Sequence, residues 1–315
     1  MKLFIKTLPF FMVRILVYGA FGLAALFFLG IMVGVGFVVV KLFGDSSGAF
    51  VIVMLLAFGV VYGGLRFVER YVLYIVKIGH VSVVVELLRA GSIPEGKGQV
   101  AYGKEQVMNH FGTANVAFVL DNMVSAAVRQ IQRWVMRVGN AFSFIPGYKN
   151  IVGIINAVMS VGLNYIDEAI VSYIFVRKSE GRNESVWKSA ADGVVLYAQS
   201  WKGILKTAVG SVVLIYLFNI VVFLMFAFPL MFISKLITTN TPDSGFLFGA
   251  LALIAAYVIT TVLKRALVDP IITIAMIRSY QISIRHLEPA MDLQQQLVGV
   301  SSKFKNLVEK SRNAA

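Results

Sequence analysis

A chain of 315 residues that is 58% hydrophobic and only 14% charged lies well outside the composition of soluble domains, where about a quarter of residues carry charge, and reads as a polytopic all-α membrane protein. Its 29 Lys and Arg against 16 Asp and Glu give a formal charge of +13. Those basic residues flank apolar runs instead of clustering with aromatics, which argues for membrane anchoring and against nucleic acid. The absence of cysteine excludes thiol nucleophiles, disulfides and cysteine metal sites, and His80, His110 and His286 show no ligand spacing.

A basic start (Lys2, Lys6, Arg14) leads into an uncharged run from Ile15 to Val40, long enough to cross about 30 Å of hydrocarbon and too long for a signal-peptide core. Gly19, Gly22, Gly30 and Gly34 share one face, with a G-x-x-x-G pair at Gly30 and Gly34, and predict close packing on another helix. A second span is expected from Ala49 to Leu65. From Arg66 to Arg89 the pattern turns amphipathic, with Arg66, Glu69, Arg70, Lys77 and His80 on one arc, as in a helix at the cytoplasmic surface.

Residues 91 to 112 are dense in Gly, Pro and charge. Gly98 to Lys104 matches G-x-x-x-x-G-K, but Glu105 stands where a phosphate loop needs Ser or Thr and no strand precedes it, so nucleotide binding is not expected. Thr113 to Val138 is a helix whose Arg129, Arg133 and Arg137 recur every fourth residue beside Trp134, a pattern suited either to anionic lipid phosphates or to a solvated basic face.

Ile145 to Lys178 is long and apolar yet carries a line of polar groups. At 100° per residue Lys149, Gly153, Asn156, Ser160, Asn164 and Asp167 fall within about a quarter-turn, with Glu168 beside them. In hydrocarbon such a line must face other helices or a water-filled cavity, because a lipid-exposed carboxylate costs at least about 2.5 to 3.5 kcal/mol. Asn156, Ser160, Asn164, Asp167 and Glu168 are therefore the candidate substrate pathway, and a buried helix–helix seam is the competing reading.

Val186 to Lys206 is amphipathic, with Trp187 and Trp201 on the face expected to lie in the headgroup layer; together with Arg129, Arg133, Trp134 and Arg137 they make up the expected lipid interface. Further spans are expected at Thr207 to Ile233, with Pro229 near its end, and at Phe246 to Leu263. Asp269 before Pro270 is either a helix N-cap or a substrate contact. A mixed helix and a polar tail complete the chain.

Lys and Arg concentrate before residue 15, across 66 to 206 and after 264. The positive-inside rule therefore predicts both termini in the cytoplasm and an inner or plasma membrane location. Five segments follow: a transmembrane hairpin (1–65), an interfacial region (66–144), the polar-striped and interfacial helices (145–206), a second hairpin (207–263), and a mixed helix with a cytoplasmic tail (264–315). That makes four firm spans, with the middle region crossing an even number of times, re-entering or lying on the surface.

Asp167, Glu168, Ala169, Tyr173 and Ile174, followed by Ser189 and Ala190, a transmembrane hairpin, Val268 and Asp269 and a basic tail, resemble the last part of choline-transporter-like membrane proteins over about 165 to 310. The resemblance implies a carrier for a quaternary ammonium compound, with Asp269 in its matched Val-Asp pair. Such a ligand needs aromatic faces within about 6 Å and a carboxylate, for which Tyr165, Tyr173, Asp167 and Glu168 are available. No metal pair, Gly-x-Ser-x-Gly motif or nucleophile–base pair is evident, so catalysis and a cofactor are not expected; Ser185 to Lys188 fits S-x-x-K only formally. The expected function is a permease or channel for a small solute. The alternative is a non-catalytic scaffold or assembly subunit that holds lipid, a second copy or a partner membrane protein.

Overall fold

The computed structural model describes residues 2–43, 63, 72–111, 114–137, 152–237 and 245–314, and among these residues the secondary structure is helical, with no strand. In chain order the helices are α1 (Lys2–Lys6), α2 (Leu8–Phe43), α3 (residues 72–89), α4 (Gln99–Phe111), α5 (Ala114–Arg137), α6 (Val152–Ser179), α7 (Val186–Ile237), α8 (Gly245–Leu263), α9 (Asp269–Ile284), α10 (Met291–Val300) and α11 (Ser302–Asn313). They divide into two units. One comprises Met1–Phe11, Ile75–Tyr216 and Asp269–Ala315; the other comprises Met12–Tyr74 and Leu217–Val268.

Among the described residues three helical stretches are long and apolar enough to cross a membrane: Leu8–Phe28, Val186–Leu236 and Phe248–Ile284. The second and third, at 51 and 37 residues, exceed the roughly 20 residues a bilayer core needs, so only part of each can lie in hydrocarbon. The part of α7 suited to hydrocarbon is the stretch where Val213, Leu217, Ile220, Val221, Phe228 and Phe232 are all more than half exposed. Continuous apolar surface of this kind is the signature of a helix solvated by lipid. α4 and α5 pass the same test only when joined across the break between them. The exposed Asn122, Arg129 and Arg133 of α5 fit a helix outside the hydrocarbon. The expected span Ala49 to Leu65 falls outside the described residues.

In the second unit Tyr18, Leu73 and Ala266 form a small core with Ile15, Phe21 and Leu267. The close approach falls at Gly22: a methyl group there would stand 2.7 Å from Val262 Cγ2, so only glycine lets α2 meet α8 at this point. Methyl groups at Gly30 and Gly34 would meet nothing within 4 Å among the described residues. After α8 the chain does not break before a new helix. It widens into a π-helical turn, Lys264–Val268, and continues directly as α9. Pro270 has no N–H to give a preceding carbonyl, and a widened turn is a common way for a helix to absorb that loss.

The first unit is a bundle with α3 at its centre: Ile78, Val81, Val83 and Val84 are completely buried. The expected surface-lying amphipathic helix is thus a core helix. His80, Ser82 and Glu86 are buried too, His80 stacking on Phe10 with ring centroids 5.5 Å apart. α6 packs on α5 and α9, and α11 packs on α5. The G-x-x-x-x-G-K segment is a helix contact and not a loop, because Gly103 lies inside α4 with Gly79 of α3 against it; a methyl group on Gly103 would come within 2.8 Å of the Gly79 carbonyl oxygen. Lys97 and Glu105 pair at 2.6 Å beside it.

The polar tail is folded. Ser301 caps α11 by accepting from the Phe304 N–H at 3.0 Å and donates to Gln130 Oε1 of α5 at 2.6 Å. Phe304, Leu307 and Val308, spaced three and four apart, are buried. The S-x-x-K match is likewise a cap, since Ser185 Oγ accepts from the Lys188 N–H at 3.2 Å at the start of α7.

Candidate functional site

The polar line of α6 ends in the densest buried charge among the described residues. Asp167 is 7% exposed and Glu168 2%. Consecutive residues on a helix point about 100° apart, so two adjacent carboxylates can both be buried only where neighbours approach from two sides. Here they do. From α3, Lys77 Nζ lies 2.7 Å from Glu168 Oε1 and 3.8 Å from Asp167 Oδ2. From α5, Ser125 Oγ donates to Asp167 Oδ2 at 2.8 Å. From α9, Thr273 Oγ1 donates to Glu168 Oε2. The Glu168 backbone N–H donates to Asp167 Oδ1 at 2.8 Å.

A third carboxyl, Asp121 of α5, belongs to the same cluster and was not marked by any sequence pattern. It is 9% exposed, and its Oδ1 has no hydrogen-bond partner. Burial pushes its pKa up, repulsion from Asp167 adds to the rise and Lys77 opposes it, leaving it at about 8. For Lys77, burial disfavours the ammonium, but Asp167, Glu168 and Asp121 outweigh that cost and hold its pKa above the ordinary lysine value. Three carboxyls around one ammonium leave the cluster with surplus negative charge, or with a proton, at neutral pH.

The remaining candidates lie elsewhere or form other contacts. Asp269 sits at the end of the π turn as an acceptor, with Tyr165 Oη donating to Oδ1 at 2.7 Å, and so acts within a continuous helix and not as the cap of a separate one. The Tyr173 ring is covered by the Arg177 guanidinium at 5.6 Å, and Arg177 pairs with Glu184 at 2.7 Å. The Tyr173 ring face that a quaternary ammonium would use is thus taken by Arg177, and Tyr165 is buried with its hydroxyl on Asp269. Asn156, Ser160 and Asn164 are in α6, and their side chains, like those of Trp134 and Arg137, lie outside the described residues.

Of the expected lipid contacts, Arg129 and Arg133 are exposed. Trp187 is half-buried with Lys310 Nζ of α11 4.6 Å from its ring, and Trp201 is half-buried beside Lys202 at 6.0 Å. The face of α7 expected to rest on headgroups is instead largely covered by protein, with Ala191, Val194 and Tyr197 buried and Gln132 Nε2 donating to Tyr197 Oη at 2.6 Å.

Lys77 was legible only as one charge on an amphipathic arc, and Ser125 and Thr273 carried no signal; their contacts join residues 42 and 105 positions apart. No protein-family model, no curated protein and no solved structure matches this chain.

Proposed function

We propose that this protein is an integral membrane transport protein for a small cation, with the Lys77, Asp121, Asp167 and Glu168 cluster as its cation- or proton-binding centre. The observation that carries the reading is the surplus of buried carboxyls together with the unbonded Asp121 oxygen. A purely structural ion pair needs one acid per base, and an extra buried carboxyl is costly unless it binds something. Lys77 occupies the position of the bound cation in this closed arrangement. Entry of a cation from outside would displace the ammonium from Glu168, so the lysine acts as a tethered competitor. Choline, the ligand implied by the resemblance, remains one member of the cation class. The excess of Lys and Arg before residue 15 and after residue 264 supports cytoplasmic termini in a cell membrane.

The test is uptake by proteoliposomes of a labelled panel comprising protons, alkali cations, choline and larger organic cations, with wild type and Asp167→Asn compared. Saturable uptake of one class, reduced at least tenfold in the folded variant, is expected. Well-folded wild-type protein that moves none of them sinks the reading.

A scaffold reading is favoured by one specific observation. α3, α5 and α9 all donate to the carboxylates of α6, which is also how a seam between helices is built. It predicts no flux and a partner protein retained by wild type but lost in Asp167→Asn.

A further inference from the structure

Two surface cavities of the first unit meet on α9 at Arg278 and Ile282, which line both. One, of about 470 Å³, is floored by Phe4, Ile271, Ile274 and Ala275. The other, of about 340 Å³, is apolar at Val85 and Val176 and rimmed by Arg89, Arg278 and Arg285. Arg278 lies in the last two turns of α9 and Arg285 in the turn directly after its end at Ile284, and both line the second cavity with the 63% exposed Ile282 between them. Both arginines are exposed, and no carboxylate lies within ion-pair distance of either among the described residues. The one acid on the rim, Glu180, faces Arg177 at 3.7 Å and Arg182 at 3.9 Å.

An apolar trough beside unpaired guanidinium groups matches an anionic amphiphile. Planar guanidinium donors suit phosphate oxygens, and the trough suits acyl carbons. Its position along the chain selects the source. Gly203 and Thr207 of α7 line the larger cavity, and the exposed apolar run of the same helix begins at Val209 and Val213, within about 9 Å at 1.5 Å per residue. Arg278 lines the same cavity as Gly203 and Thr207, beside the start of that exposed run, where a guanidinium stands at headgroup level. We infer that this double groove is a binding site for an anionic phospholipid, with the phosphate held by Arg278 and Arg285 and one acyl chain in the cavity floored by Ala275. The inference rests on the membrane reading of α7 and not on transport.

The test uses the full chain purified in detergent and titrated with phosphatidylglycerol or with phosphatidylcholine of the same acyl chains, bound lipid being counted by native mass spectrometry. Wild type is expected to retain phosphatidylglycerol at least tenfold more strongly than phosphatidylcholine. R278Q/R285Q removes that preference. Ala275→Phe, which fills the trough and leaves every charge in place, lowers retention of both lipids. Equal retention of the two lipids by wild type overturns the proposal, and so does undiminished phosphatidylglycerol binding in both variants. Inorganic phosphate alone, if it binds wild type and Ala275→Phe equally and displaces the lipid, makes a free anion the ligand and also overturns it. If a variant does not fold, the wild-type comparison of the two lipids still decides. Wild type that stays soluble without detergent refutes the membrane reading separately.

Discussion

Along α7, residues 189 to 197 are all buried by protein, polar Ser189 and Asp192 included, whereas Val213, Leu217, Phe228, Phe232 and Leu236 expose more than 60% of their surface on the same continuous helix. Apolar composition continues through both stretches, so hydrophobicity alone does not distinguish them. The difference is in what surrounds each. The first half packs against protein, with small and branched side chains, and its charges are paired, Lys188 with Asp192 at 3.0 Å. The second half presents large side chains outward, which in water would be an aggregation surface and in lipid is ordinary solvation. A bundle that buries charge can therefore share a helix with a stretch, residues 207 to 234, that carries none.

The largest expected effect strikes the buried charge. Lys77→Met leaves three carboxyls without their ammonium, and breaking a buried pair costs roughly 3 to 5 kcal/mol. Denaturant unfolding of the detergent-solubilised protein reads this, and adding Glu168→Gln recovers part of the loss. A single-variant loss below about 1 kcal/mol would show that Lys77 does not hold the cluster.

Next comes a matched pair on α7. Val194→Phe overpacks a site with no exposed surface and is expected to cost about 1 to 3 kcal/mol, while Leu217→Phe, at 61% exposure, changes stability by less than about 0.5 kcal/mol. Equal costs at the two positions would erase the distinction between the halves of the helix.

The most gradual effect is in the pH dependence. The folded-state pKa of Asp121 is raised from 3.8 to about 8, so between those values the unfolded chain has released a proton that the folded chain retains. Wild-type stability therefore falls as pH rises through that window, by at most about 1.4 kcal/mol per pH unit, and the full penalty stands above it. Asp121→Asn has no proton to lose and should unfold at a higher temperature than wild type at pH 8, with the difference shrinking toward pH 4. A constant difference across the range would mean that Asp121 does not titrate in the folded protein.

Much of the helical layout was legible, because apolar runs such as Phe246 to Leu263 differ so sharply from their flanks that period and length locate them within a residue or two of α8. Asp167 and Glu168 could be marked as the polar end of α6 from spacing alone. Their partners could not. Lys77, Asp121, Ser125 and Thr273 are ordinary residues on other helices, and only packing brings them within bonding distance. The folding of the tail was not legible for a different reason: Phe304, Leu307 and Val308 are correctly spaced, but a short stretch so rich in charge buries too little by itself to form a helix, and α5 supplies the missing surface.

Hydrophobic content and its periodicity settled that this chain is helical and carries segments able to cross a membrane, since both follow from properties local to each segment. Which apolar faces are buried by protein and which stay exposed, and where the surplus carboxyls meet Lys77, depended on contacts between residues about a hundred positions apart. Those contacts exist only once the helices have packed.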